Sequence, residues 1–310
     1  MGDVVHALPL AADIARPRPD VQIDWLCEEA FAAIPVMSRY VANVHRVALR
    51  RWRRRPFDPA VWHEVRVAKQ ALRDARYDLV LDVQGLAKSA WLARWTGAPI
   101  AGFDSSTARE PIAARFYQRT FDVPRDLHAV QRCRLLGALA LGYEVTGAPR
   151  FGLEASAGTN HERAAVLLVN ASRATKLWDD ELWLAIERWL AGQGIASVLF
   201  YGSAEERRRT EVLAARMQRA TVAPPSTLNA IAATLATASI VIGLDTGLTH
   251  LAAALGRPTV GIYCDYEPAL VGLIGDAATG NAVASVGSAT VPPTVAEVIE
   301  AAAQVMSRSA

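Results

Sequence analysis

The sequence predicts an α/β protein made of two doubly wound halves, and three observations carry that prediction. Runs such as Leu79-Val80-Leu81 and Ile240-Val241-Ile242 lack the polar alternation of a sheet with one wet face, so they read as parallel strands covered on both sides. Apolar runs of this kind alternate along the chain with amphipathic stretches of helical period. The 310 residues also exceed a single core and divide naturally into two domains of roughly 150 residues each.

Composition narrows the class. With 52% hydrophobic and 21% charged residues the chain is a folded globular protein rather than a disordered one. A net charge of +2 excludes a protein basic all over but leaves room for a local patch. Cys27, Cys133 and Cys264 are too far apart for a disulfide framework or a CxxC metal site, so free thiols are expected. No apolar run reaches the ~20 residues of a membrane span. Asp3 and His6 stand where a signal peptide would carry its basic region. The expectation is a cytoplasmic protein.

The elements follow in order. An amphipathic helix with Gly2-Asp3 at its start comes first, then a strand over 21–27, a helix over 28–37 and a strand over 44–49. A helix over 59–75 precedes the strand 77–83, followed by a helix over 87–95, a strand over 99–103 and helices over 112–118 and 127–141. Four glycines and a proline make 142–159 the predicted linker, giving domains 1–150 and 151–310. Beyond it come a strand over 164–170, a helix over 180–191, a strand over 196–201 and helices over 204–217 and 228–236. A strand over 239–244, a helix over 246–255, a strand over 259–263 and a helix over 294–306 close the chain. Two such halves with a cleft between them are the economical arrangement, and ligands are expected at the carboxyl ends of the strands.

Three loops at such strand ends carry the chemistry. Asp245-Thr246-Gly247-Leu248-Thr249-His250 turns a buried strand into a helix, and the amides of Thr246, Gly247 and Leu248 there suit a diphosphate. A capped core helix with a satisfied His250 fits the same residues. After strand 164–170, Ser172 and Lys176 would hydrogen-bond and neutralise a phosphate, though a loop lysine is usually only solvated. After strand 196–201, Glu205 and Glu206 stand where a ribose diol is held, or they serve the helix dipole. Taken together, the three loops point to a nucleotide-diphosphate site that lacks the GxGxxG and GxxxxGK[ST] fingerprints.

The first half supplies the opposing wall. DVQGLAKSA at 82–90 again turns a strand into a helix through glycine. Arg50-Arg51-Trp52-Arg53-Arg54-Arg55 packs five arginines into six residues. Few aromatics interleave with them, which disfavours a nucleic-acid surface. The cluster suits a compact polyanion with carboxylates or phosphates, or anionic headgroups at a membrane, and a solvated basic face is the plain alternative. Asp3 at its tight turn reads either as a functional acid or as a helix cap.

MGDVVHALP at the start, DVQGLAKSA at 82–90, TKLW at 175–178 and DTGLTHLAAALGRPTVGIY at 245–263 together resemble the lipopolysaccharide heptosyltransferases of the GT-B, family 9 type. The resemblance covers essentially the whole chain with its motifs in order, and DxQGLxKSA is similar to the subgroup that adds the first heptose to Kdo2-lipid A. It implies an inverting glycosyltransferase of lipopolysaccharide core synthesis. The co-substrate would be ADP-L-glycero-D-manno-heptose, with no metal and no other cofactor. The protein would be a monomer in peripheral contact with the cytoplasmic face of the inner membrane. Asp3 takes the position of the general base, and at a helix N-terminus it stays ionised as a base requires. Ser172, Lys176, Glu206, Asp245, Thr246, Gly247, Leu248 and His250 take the donor positions. Arg50, Arg51, Arg53 and Arg54, with Gln84 and Lys88, are the expected acceptor contacts. Family members open with a short strand before Gly-Asp that this chain lacks, so translation is expected to start upstream of Met1, the alternative being a chain that has lost a central strand. The rivals are the subgroup whose acceptor already carries heptose, a nucleotide-sugar isomerase or epimerase on the same scaffold, and a non-catalytic binding module.

Overall fold

The computed structural model of the chain describes residues 1–155 and 164–309, and these fall into two compact units. One is His6–Gly147; the other joins Met1–Val5 to Ala148–Ala310. The last residues of the predicted linker, 156–159, lie outside the described residues.

Up to Gly147 the chain runs α1 (Gly2–Ala15), whose residues up to Val5 count with the other unit, β1 (Asp24–Glu28), α2 (Ala33–Val36), β2 (Asn43–Val47), α3 (Leu49–Trp52), α4 (Pro59–Asp74), β3 (Val80–Asp82), α5 (Ala87–Ala93), β4 (Ile100–Phe103), β5 (Arg119–Phe121) and α6 (Ala129–Leu141). All strand pairs are parallel, with β1 on β2 in one sheet and β3-β4-β5 in another. α1 is tied to α6 by a buried ion pair, Arg134 reaching Asp13 at 2.6 and 3.0 Å. Arg134 is 1% exposed and also donates to the Gln131 side chain and to the carbonyls of Thr146 and Gly147, so each of its three nitrogens has an acceptor.

Two predicted helices differ here. The 28–37 helix is a 3₁₀ turn (Glu29–Phe31) followed by α2, because Pro35 has no amide to offer the turn before it. The 112–118 helix is a 3₁₀ segment (Pro111–Phe116) that yields to β5. Tyr117 causes the break: its ring lies against Gly102, where a Cβ would come within 2.4 Å, and its hydroxyl donates to Asp82 at 2.7 Å.

The second unit runs β6 (Ala164–Leu168), α7 (Asp180–Gly192), β7 (Ala196–Leu199), α8 (Ala204–Ala214), β8 (Ala220–Val222), α9 (Leu228–Thr237), β9 (Ile240–Leu244), α10 (Gly247–Ala254), β10 (Thr259–Tyr263), α11 (Pro268–Val271), β11 (Val283–Gly287) and α12 (Val295–Arg308). Its six parallel strands take the order β11-β10-β9-β6-β7-β8. The chain moves outward from β6 to β8, then returns to lay β9 on the other flank of β6. That reversal between β6 and β9 is the switch point where open α/β sheets leave a crevice for a ligand. The central strands β6, β9 and β10 are buried over nearly their whole length, and Trp183, Ile186 and Leu190 of α7 and Val298, Ala302 and Val305 of α12 share their core.

Candidate functional site: donor loops at a topological switch point

The loops leaving β6 and β9 meet at the switch point. Gly243 in β9 lets them come close: a Cβ there would lie 2.5 Å from Thr249 Oγ1 and 2.8 Å from Leu168 Cβ. Thr249 then donates to the Leu244 carbonyl at 2.6 Å and lies 3.1 Å from the Thr246 hydroxyl, fixing the head of α10. Thr246, Gly247 and Leu248 are half-buried at that head, where a helix leaves its first amides without internal acceptors and carries its positive end. Met1 packs against Gly247, so the segment carrying Asp3, an exposed residue, lies against this loop.

The predicted donor charges are cross-linked. Lys176 Nζ donates to the Asp245 carboxylate and, at 3.1 Å, to the Asp245 carbonyl. His250 Nε2 lies 3.0 Å from the other carboxylate oxygen. His250 is buried, and the Lys176 and Asp245 side chains are only 14% and 10% exposed. Burial alone would raise the Asp245 carboxyl, but the hydrogen bonds from His250 and Lys176 overcome it and hold it below the ordinary carboxylate value. In TKLW the tryptophan is an anchor: Trp178 is 3% exposed, stacks edge-on against Trp183 and donates to the Pro293 carbonyl. Arg209 of α8 braces the same loop through the Val169 carbonyl, the Asn170 side chain and Asp180.

Ser172 is exposed. Glu206 takes the amides of Gly202 and Ser203 on Oε2 while the Ser203 hydroxyl caps Glu206, so one of its oxygens serves the helix start. Sequence reasoning missed Asp265 and Tyr266, at the carboxyl end of β10. Asp265 accepts from the Thr175 hydroxyl at 2.6 Å and pairs with Arg173 at 3.6 Å, while the Tyr266 ring lies 5.6 Å from Lys176 Nζ. Their position just after a strand was the available signal.

In the other unit, DVQGLAKSA is organised by Asp82, which is buried and accepts from the amides of Gln84 and Gly85, the Ser89 hydroxyl and Tyr117. Gly85 sits at φ +63 with Arg109 N and Phe103 3.2 Å from where a Cβ would be, so the turn needs glycine. The result holds Gln84 half-buried and Lys88 exposed at the start of α5. The arginine run spans α3 and the turn after it. Arg50 lies over the Phe31 ring, Arg51 pairs with Glu29 and Glu64, and Arg53 and Arg54 are exposed. Arg109, Arg125 and Arg132, remote in sequence, gather at the loop after β4. Arg125 and Arg132 donate to the carbonyls of Ala108 and Thr107, and burial, then Arg125 and Arg109, depress the Arg132 guanidinium. Among the described residues no three His, Cys, Asp or Glu side chains gather as a metal site, and no helix is long and apolar enough to cross a membrane.

The sequence profile of glycosyltransferase family 9 (heptosyltransferase) matches residues 65–292. Over 280 residues the chain is 41% identical to lipopolysaccharide heptosyltransferase 1 of Pseudomonas aeruginosa, covering 89% of this chain and 79% of that protein. Escherichia coli heptosyltransferase WaaC with ADP superposes at a TM-score of 0.87, 35% identical, over 97% of this chain and 95% of that one. WaaC with ADP-2-deoxy-2-fluoro heptose gives 0.82 and 34% identity over 100% and 97%. The chain belongs to glycosyltransferase family 9, the heptosyltransferases. It is a glycosyltransferase of GT-B fold.

Proposed function

We propose that this enzyme moves L-glycero-D-manno-heptose from ADP-heptose to a Kdo hydroxyl of Kdo2-lipid A in lipopolysaccharide core synthesis, with inversion, without a metal, at the cytoplasmic face of the inner membrane. The observation that carries the reading is the Lys176–Asp245–His250 cluster at the head of α10, set at the switch point of a parallel sheet. Its similarity to a protein solved with ADP and with a fluorinated ADP-heptose supports the donor.

In this mechanism the donor diphosphate lies on the amides of Thr246, Gly247 and Leu248, with Lys176 sharing its protons between Asp245 and a phosphate oxygen. Glu206 Oε1 takes the donor's ribose hydroxyls, and the Ser172 hydroxyl donates to a phosphate oxygen. The Kdo oxygen attacks the anomeric carbon from the face opposite ADP, the carbon–oxygen bond to ADP breaks, and Asp3 accepts the hydroxyl proton. Negative charge growing on ADP falls on donors already in place, the arrangement that lowers a barrier most. Arg50, Arg51, Arg53 and Arg54, with Gln84 and Lys88, hold the acidic acceptor.

Turnover of ADP-heptose is compared on delipidated Kdo2-lipid A, on the same acceptor already bearing one heptose, and with EDTA present. The expected result is transfer to the first acceptor only, unchanged by chelation. Preference for the heptosylated acceptor would overturn the acceptor assignment, and loss of activity in EDTA restored by Mg²⁺ would overturn the metal-free step.

A further inference from the structure

We infer that the turn after α3 and the outer side of α4 form a docking face for an anionic phospholipid bilayer, with Phe57 and Trp62 entering the boundary between headgroups and acyl chains. The inference rests on the lipid-borne acceptor proposed above.

Phe57 is 92% exposed at the tip of the turn, and Trp62, on the first turns of α4, is 59% exposed. The region does not lack a core to receive them. Val61 and Leu72 on the inner side of α4 are buried with Trp52 and Trp95. The two rings therefore face water while their neighbours pack.

Charge around them has one sign. Residues 50–74 hold eight Lys and Arg against three acids, in a chain whose net charge is only +2. Each acid is spent locally: Asp58 caps the amide of Ala60, Glu64 accepts from Arg51 and Trp52, and Asp74 accepts from Gln70. Arg53, Arg54, Arg55, Arg66 and Arg73 are exposed, and no carboxylate among the described residues pairs with them. Unpaired arginines beside two exposed aromatic rings complement a surface of anionic phosphates over hydrocarbon, where basic side chains draw the protein in and amphipathic rings lodge at the boundary.

The test uses the full chain and vesicles of phosphatidylcholine with or without phosphatidylglycerol, read by cosedimentation. The parent is expected to bind only the vesicles with phosphatidylglycerol, and Phe57→Ser/Trp62→Ser to bind on the order of tenfold or more weakly. Brominated lipid should quench the parent more than Trp62→Phe. Arg55→Gln/Arg66→Gln/Arg73→Gln should weaken binding and flatten its salt dependence. Equal binding by the Ser variant, or binding to phosphatidylcholine alone, would overturn the inference. So would sedimentation velocity showing a parent dimer that the Ser variant dissolves, because the rings would then face a second copy. Turnover on the delipidated acceptor should be unchanged in the Ser variant. If the parent itself does not use that acceptor, the acceptor assignment fails while the vesicle assay still decides the docking face.

Discussion

The donor loops and the arginine run carry similar chemistry under opposite conditions. Around α10, Lys176, Asp245 and His250 are buried and bonded to one another. In the turn after α3, Arg53 and Arg54 stand in water, and among the described residues Arg51 is the one side chain of the run paired with carboxylates. A buried, cross-paired charge is fixed in position and little affected by salt, and removing one partner leaves the other stranded. An exposed charge is cheap to keep, weak in any one pairing and screened beyond about 8–10 Å. The first arrangement suits positioning of a small co-substrate; the second suits attraction of a large acidic acceptor.

The sharpest way to test this division is to remove chemistry without touching either region's binding. Asp3→Ala should lower turnover by roughly 10²–10⁴, the usual contribution of a general base. Titration calorimetry with ADP and with delipidated acceptor should give parent-like affinities, since only the transition state needs the base. Turnover within about threefold of the parent would remove Asp3 from the mechanism.

The same contrast explains what the sequence made legible. The second unit was readable strand by strand where strands are buried on both faces, as in Ile240–Leu244 and Thr259–Tyr263. The edge strands β5, β8 and β11 escaped, the first two because three exposed or half-buried residues carry no apolar run. The half-buried Val-Ala-Ser-Val-Gly of β11 carries none either. At the site, TKLW and DTGLTH were visible as motifs, but their internal division was not. That Trp178 anchors the loop while Lys176 pairs with Asp245 depends on contacts across 69 and 115 residues. Asp82 is another such case: its motif was read for Gln84 and Lys88, whereas the aspartate is the residue that builds the turn.

The donor side is tested by its pairing. Lys176→Ala should weaken ADP binding roughly 10–150-fold, the span of a hydrogen bond to a charged group, with acceptor KM unchanged. Asp245→Asn should also weaken it, and the double variant should cost less than the sum, because each single change strands a buried partner. Asp245 titrates below its ordinary value, so its contribution to stability is fully present above the unfolded carboxylate pKa of about 4 and is lost as pH falls through the lowered native value. Thermal unfolding of the parent and Asp245→Asn should therefore differ most at neutral pH and converge in acid below about 4. A difference that stayed constant into acid would show that the pair is not the stabilising feature.

The acceptor side should respond more weakly and in a different way. Neutralising Arg50, Arg51, Arg53 and Arg54 together to Gln should raise the KM for delipidated acceptor several-fold, since exposed pairs contribute roughly 0.2–1 kcal/mol each. ADP affinity should not move. Added salt should produce part of the same rise in the parent and little in the variant, because the charges that salt screens are gone. The four should not contribute equally. Arg51 already bridges Glu29 and Glu64, so Arg51→Gln alone should loosen α3 against α4 and lower the melting temperature. Arg53→Gln and Arg54→Gln should change KM and leave melting unaltered. Arg→Lys at these two positions should recover only part of the affinity, because an ammonium lacks the planar fork that grips a carboxylate with two parallel bonds. Acceptor kinetics that ignored both salt and the quadruple change would reduce the run to a solvated surface and leave the donor loops as the chain's single binding region.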